Sequence, residues 1–370
     1  MSTTRSPPRV RKAVIPIAGL GTRMFPASKA IPKAFFPVVD LDGICKPVLQ
    51  VIIEEALSGL GEDGQICIVV SPGQQPPIES YFCKPTDQAY YKKPELLSQI
   101  NRLQFIGERL HFAEQKSPQG FGHAVLCARE FVGDEPFLVL LGDHVYLSSH
   151  PQRKTCTQQL VELYERTGQC GTTMDTCEEG VVSVNGLMKG IPFPKDPLVY
   201  DLLTSAEKPS PEYARANLRS SGLQDGQYFC NFGIDLLPPR IFEILQHNLD
   251  NNVRTKGELQ LRDAMKTLIE NRDPEHLRDS LSRIPCGTRF KCKSGLFGLF
   301  VPGKRLDTGQ PDMYAQTIRL YESEWRERSL TPSAVTASTA KPTVMTAKPT
   351  QSSDTVRLLP TLLCVGGAVA

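Results

Sequence analysis

Arg23, Lys29 and Lys33 place three cations within one short stretch, and two glycines, Gly19 and Gly21, stand directly before them. The run reads Gly19-Leu20-Gly21-Thr22-Arg23-Met24-Phe25-Pro26 and continues through Lys29 to Pro32-Lys33. Glycine lets a backbone turn sharply and bring its N–H groups close to an anion. Cations beyond such a turn neutralise phosphate charge, so the combination suits a nucleoside triphosphate. It is no Walker loop, because no Gly-Lys-Ser/Thr follows, and it departs from Gly-x-Gly-x-x-Gly after Gly21. Taken alone, the two glycines fit a plain strand-to-loop turn; the whole run asks for more.

Carboxylates that could hold a metal stand further along. Asp143 follows the apolar run Phe137-Leu138-Val139-Leu140-Leu141 and Gly142. This puts it at the carboxyl edge of a buried strand, where open α/β sheets bind ligands. An aspartate capping a loop would occupy the same position. Asp307 lies in Leu306-Asp307-Thr308-Gly309, where an Asx-turn is the alternative. The pair Glu207-Lys208 follows the apolar stretch 198–206; such a pair is ordinarily a solvated surface feature.

The elements that must position these residues are legible as patterns. Residues 13–18, 66–70, 110–113 and 137–141 read as short buried strands, and the segments between them as helical. Lys46-Pro47 opens one helical pattern, with an apolar stripe at Val48, Val51, Ile52, Ala56 and Leu60. Polar, helix-prone sequence covers 71–101, and 124–129 is helical. Continuous apolar strands separated by helices argue for a parallel sheet covered on both faces. The second half is more mixed, with strands expected over 171–176, 198–206 and 229–236 and helices over 158–166, 240–246 and 259–271. The fold expected is α/β: a Rossmann-like core whose mixed, mostly parallel central sheet is flanked by helices. A flexible lead over 1–11, a domain over 12–328 and a disordered Ser/Thr/Ala/Pro-rich tail over 329–370 complete the division.

Composition narrows the class. The 370 residues are 40% hydrophobic and 22% charged, enough to bury a substantial core. A net charge of +2 leaves no basic field for nucleic acid. Eleven cysteines occur without a Cys-x-x-Cys pair, which suits neither a zinc site nor a disulfide framework and fits a reducing, cytoplasmic setting. No signal peptide is expected at the N-terminus. The apolar stretch 358–370 is shorter than the roughly 20 residues that a membrane span needs.

The run from Ala18 to Lys33 resembles the signature of sugar-1-phosphate nucleotidylyltransferases, and of their bacterial uridylyl branch in particular. The resemblance continues in order through Gln115-Lys116-Ser117-Pro118-Gln119-Gly120-Phe121-Gly122-His123-Ala124-Val125, then Glu207-Lys208-Pro209, then Gly257-Glu258-Leu259-Gln260-Leu261-Arg262-Asp263-Ala264. It covers residues 12–321. It implies transfer of a uridylyl group from UTP to glucose 1-phosphate, with Mg²⁺ as cofactor and UDP-glucose and pyrophosphate as products. Ala18, Gly19, Gly21, Thr22, Gln115 and Gly120 would then bind the nucleotide, and Arg23, Lys33 and Lys208 would carry catalysis. Gly186, Glu207 and Lys208 would hold the sugar phosphate, and Asp143 and Asp307 the metal. Gln115 offers a donor and an acceptor, as a uracil edge requires, while His123 orients its loop. A homo-oligomer is compatible with this reading.

Three departures bear on the choice of nucleotide. Ala34 stands where the uridylyl branch usually has a glutamate near the nucleotide. Residues 41–45 resemble an insertion before Lys46-Pro47. Gly142-Asp143-His144 replaces a proline-aspartate version. An enzyme that uses dTTP or another nucleoside triphosphate, or another hexose 1-phosphate, is the alternative, and a non-catalytic regulatory module of the same fold is a rival of a different class.

Overall fold

The computed structural model describes residues 7–270 and 295–330. Its strands, in chain order, begin with β1 (Lys12–Pro16), β2 (Pro37–Val39), β3 (Cys45–Pro47), β4 (Gln65–Val70), β5 (Leu110–Glu114), β6 (Phe137–Leu140) and β7 (His144–Ser148). The second half adds β8 (Gly171–Glu178), β9 (Gly186–Phe193), β10 (Asp196–Glu207), β11 (Gln227–Leu237), β12 (Phe297–Phe300) and β13 (Gly303–Asp307). Nine of them form one mixed sheet in the order β5-β4-β1-β6-β11-β8-β12-β10-β9. β5, β4, β1 and β6 run parallel. The apolar residues of β4, β1 and β6, among them Val14, Ile15, Ile68 and Leu138, are fully buried, as strands covered on both faces require. β5, at the sheet edge, leaves Leu110, Phe112 and Ala113 only half-buried, so the strand expected to be buried over 110–113 is an edge strand.

From β11 outward the sheet turns largely antiparallel. β11 opposes both β6 and β8, and β10 opposes β12 and β9; only β12 and β8 are parallel there. Pro194 and Lys195 alone separate β9 from β10, and so short a link can join only an antiparallel pair. Two small sheets, β2–β3 and β7–β13, stand apart from the main one.

The helix Val48–Leu60 lays its apolar stripe on the sheet, burying Leu49, Ile52, Ile53 and Ala56, and stops at Gly61. Lys46, expected at its start, instead lies in β3. Its ammonium is buried and bonded to Asp40, Asp42 and Glu54 at 2.7, 2.7 and 2.9 Å, and three carboxylates hold that lysine where a helix would not. The segment 41–45 is the tip joining β2 to β3 and rests on Trp325, whose Nε1 would lie 2.8 Å from a Cβ at Gly43. The polar stretch 71–101 forms the helices Gln75–Phe82 and Gln88–Tyr91 and the start of Leu97–Gly107.

Packing reaches back to Val10, which is buried, two residues before the expected start of the domain. At the other end the helix Pro311–Leu330 passes through the expected boundary at 328. The tail proposed from composition otherwise lies outside the described residues.

One consequence of this order matters for the site. β1 and β6 are parallel neighbours, with Val14 beside Val139. The loops that leave their carboxyl ends, the glycine run after β1 and Gly142-Asp143 after β6, must therefore emerge side by side.

Candidate active site

The glycine run leaves β1 through Ile17, whose N–H donates to Val69 O at 2.8 Å, and Ala18, whose carbonyl accepts from Ser71 Oγ. Gly21 sits in the left-handed region at φ 65° and opens a single turn over Thr22–Met24. The stem of Lys33 lies 3.4 Å from where a Cβ at Gly21 would stand, so the turn is laid directly over that lysine. Gly19, Lys29, Lys33 and Ala34 help to line a cleft of 260 Å³. Ala34 itself is buried against the core. Gly19, Thr22, Arg23 and Lys29 are exposed. Among the described residues Arg23 and Lys29 make no ion pair, whereas Lys33 Nζ lies 2.6 Å from Asp143 Oδ2.

Asp143 is where the two loops meet. Its second oxygen lies 2.8 Å from His144 Nδ1, a contact in which Nδ1 carries the proton because an ionised carboxylate only accepts. Burial pushes the Asp143 carboxyl up, but His144 and Lys33 outweigh it and hold the group well below the usual carboxylate range. Thr308 donates to the Asp143 carbonyl through both N–H and Oγ1, each at 2.8 Å. In the β7–β13 pair Asp307 stands opposite His144. Its carboxylate accepts from Gly309 N–H at 2.6 Å and Gln310 Nε2 at 3.0 Å.

A Cβ at Gly309 would lie 2.8 Å from Asp143 Oδ2 and 3.1 Å from Asp307 Oδ1. Only glycine lets these two carboxylates approach one another. Ligand atoms of Asp143, His144 and Asp307 fall within 4.8 Å of one another. Two carboxylates this close supply the hard oxygen donors a divalent cation takes, although Lys33 and His144 now occupy the oxygens of Asp143.

The expected base segment folds against the motif that follows residue 256. Leu259 N–H donates to Gln119 O at 2.8 Å and Gly122 N–H to Leu259 O at 2.9 Å. Gly120, at φ 110°, would place a Cβ 2.7 Å from Leu259 O, so the close approach it permits here is to its own chain. Gln115 is buried. Its Nε2 donates to Gly120 O at 3.1 Å and to His123 Nδ1 at 3.0 Å, and His123 itself lies in the first turn of the helix Phe121–Cys127. Both donors of Gln115 are thereby engaged within the loop. None of its hydrogen bonds among the described residues uses Oε1.

On the sugar side Gly186 stands opposite Glu207 in the β9–β10 register. A Cβ there would lie 2.8 Å from Glu207 Oε2, so this glycine makes room for that carboxylate. Lys208 Nζ lies 3.3 Å from Glu207 Oε1. Lys208 adopts φ 46°, uncommon for a residue with a side chain, and its N–H donates to Asn185 O at 3.1 Å.

Several neighbours were not singled out from sequence. His144 follows Asp143 directly, and that adjacency was its signal. Asp235, a lone carboxylate in the apolar run Phe232-Gly233-Ile234-Asp235-Leu236, is buried and forms a two-pronged pair with Arg262 at 3.0 and 2.9 Å. Arg305, two residues before Asp307, bonds Asn231 O at 2.7 Å and Asn185 Oδ1 at 3.3 Å.

The family model described as nucleotidyl transferase matches residues 12–324. The UTP–glucose-1-phosphate uridylyltransferase of Streptococcus pneumoniae is 38% identical over 262 residues, covering 70% of this chain and 80% of the relative. The UTP–glucose-1-phosphate uridylyltransferase YngB of Bacillus subtilis is 32% identical over 325 residues, 85% of this chain and 95% of that one. Among solved structures, a UDP-glucose pyrophosphorylase in complex with UDP-glucose superposes with a TM-score of 0.60 at 25% identity, covering 86% of this chain and 100% of the other. The chain belongs to the nucleotidyl transferase family and is similar to its UTP–glucose-1-phosphate uridylyltransferases.

Proposed function

We propose that this chain joins UTP and glucose 1-phosphate into UDP-glucose and releases pyrophosphate. The observation that carries the reading is the meeting of the glycine run, Lys33, Asp143 and Asp307 at one edge of the sheet. An oxygen of the sugar phosphate attacks the α-phosphorus of UTP. The new O–P bond forms as the bond from the α-phosphorus to the pyrophosphate oxygen breaks in line. The attacking oxygen is already anionic, so positioning and charge stabilisation make up the catalysis.

Each residue has a part in that task. Backbone N–H groups of Gly19, Gly21 and Thr22 face the triphosphate, and Arg23 meets the charge building on the departing pyrophosphate. Lys33, next to Asp143, serves the α-phosphate. Lys208 holds the sugar phosphate, and Glu207, across from Gly186, accepts from sugar hydroxyls. Gln115 presents Oε1 to the N–H of the uracil edge. Asp143 and Asp307 would hold Mg²⁺, which when bound supplies positive charge to the phosphate oxygens.

The free thiols of the described cysteines are consistent with a reducing compartment, and we place the enzyme in the cytoplasm. No helix among the described residues is long and apolar enough to cross a membrane. Phosphorus NMR of the protein with UTP, glucose 1-phosphate and MgCl₂ tests the reaction. UDP-glucose and pyrophosphate should accumulate in equal amounts and stop on addition of a chelator. Release of orthophosphate or UMP instead would contradict the reading.

A further inference from the structure

We infer that Arg305 is a positioning residue that sets the sugar-phosphate lysine, Lys208, at a fixed distance from the metal-side strand β13. The inference rests on the function proposed above and on a chain of contacts that crosses three elements. Arg305 and Asp307 are two apart in β13, so their side chains leave the same face of that strand. Asp307 reaches toward Asp143, while Arg305 reaches toward β11 and the start of β9. One guanidinium nitrogen donates to Asn231 O at 2.7 Å and the other to Asn185 Oδ1 at 3.3 Å. Asn185 is the residue before Gly186, and its own carbonyl accepts the Lys208 N–H at 3.1 Å. Its amide nitrogen donates to Val181 O at 2.9 Å, which anchors the loop from the other side.

Lys208 needs such support. Its φ of 46° is a costly conformation that persists only where the surroundings over-determine it. The bond to Asn185 O is the backbone contact that fixes it, and Arg305 in turn fixes Asn185. The planar fork of an arginine holds its two donors in fixed directions and at a set separation, whereas the three donors of a lysine rotate on a flexible stem. Asn231 is itself buried and bonded to Thr172 Oγ1 at 3.2 Å, so the fork has one rigid end and one end on the sugar loop. In-line attack is sensitive to displacements of about 1 Å. An error in this brace would fall on the sugar phosphate and spare the nucleotide, because neither the glycine run nor Gln115 touches it.

Steady-state kinetics of Arg305→Met, Arg305→Lys and Asn185→Ala, each with its melting temperature, test the inference. Arg305→Met should raise KM for glucose 1-phosphate about tenfold or more while KM for UTP stays within about twofold. Arg305→Lys should recover part of that loss. Asn185→Ala should show the same split, and combining it with Arg305→Lys should add less than the two losses summed. Equal changes in both KM values, simple additivity, or a lowered melting temperature with unchanged KM values would each overturn it. If Arg305→Met fails to fold, Arg305→Lys and Asn185→Ala still carry the comparison. Wild-type protein without turnover of any sugar 1-phosphate would contradict the proposed function and the inference with it; wild-type turnover with no split in the variants would overturn the inference alone.

Discussion

Lys33 and His144 hold the same two oxygens of Asp143 that a divalent cation would use. A cation held between Asp143 and Asp307 would compete with these partners, and Lys33, the more flexible of them, would then be available to a phosphate oxygen. Asp143→Asn keeps the size of the side chain and removes its charge. Turnover should fall by about 10³-fold with little change in melting temperature. Near-normal metal-dependent turnover in the folded variant would rule Asp143 out as a ligand. Asp307→Asn should lose less, since Asp143 would remain to hold the cation. Gln115 presents a single acceptor rather than a donor–acceptor pair, because its Nε2 is tied to Gly120 and His123. Gln115→Ala should still lower kcat/KM by about five- to hundred-fold. UTP and dTTP should suffer alike, since their hydrogen-bonding edges are the same; a loss confined to one of them in parallel assays would contradict this role.

At the scale of elements, Glu55 joins two helices. It lies on Val48–Leu60, and its Oε1 accepts the Thr157 N–H at 2.8 Å in the first turn of Cys156–Thr167. Burial pushes its carboxyl from an ordinary value of 4.5 up to about 7, against the opposing pull of the Thr157 and Cys156 donors. The folded protein thus binds a proton that the unfolded chain has already released between these values. The associated stability is fully present below pH 4.5 and is lost as pH rises through 7. Glu55→Gln cannot ionise, so it should be more stable than wild type at pH 8 by about 3 kcal/mol and nearly equal to it at pH 4.5. Urea denaturation at the two pH values measures this; the same offset at both would contradict it.

The elements legible in the sequence were those whose pattern follows from burial. β1, β4 and β6 are unbroken apolar runs because helices cover both faces of the parallel half-sheet. β9 carries two glycines, a lysine and a proline, so its pairing between β10 and β11 comes from tertiary contacts that no local pattern records. The helix Pro311–Leu330 is polar around most of its surface, with Thr317 and Tyr321 its buried residues, and so lacks the apolar stripe that announces a helix. It is held instead by Tyr321 OH on Tyr146 O, by a Glu322–Arg326 pair on its exposed side, and by a half-buried Glu324–Arg328 pair whose arginine also reaches Ser148 O.

For the whole molecule, the same distinction separates the parts of the site. Residue types and order were enough to name Lys33, Asp143, Glu207 and Lys208. The meeting of Lys33 and Asp143 was not local information: they pair across 110 positions only because β1 and β6 are adjacent. Arg305, Asn185 and Asp235 act through contacts with other elements, which spacing along the chain does not encode. The stretch 331–353 is rich in Ser, Thr, Ala, Pro and Lys and offers few large apolar residues to bury, so a chain stopped after Leu330 should keep its melting temperature and its turnover. A large loss of either, measured by thermal unfolding and the coupled assay, would mean that residues beyond 330 contribute to the fold or the site.

The central claim is that this edge of the sheet transfers a uridylyl group to glucose 1-phosphate. Its most direct test is pyrophosphate release in steady state, crossing UTP, dTTP, ATP and GTP with the 1-phosphates of glucose, galactose and N-acetylglucosamine, with and without Mg²⁺. The account predicts the highest kcat/KM for UTP with glucose 1-phosphate and none without a divalent cation. A higher kcat/KM for dTTP, or no pyrophosphate from any pair, would contradict it.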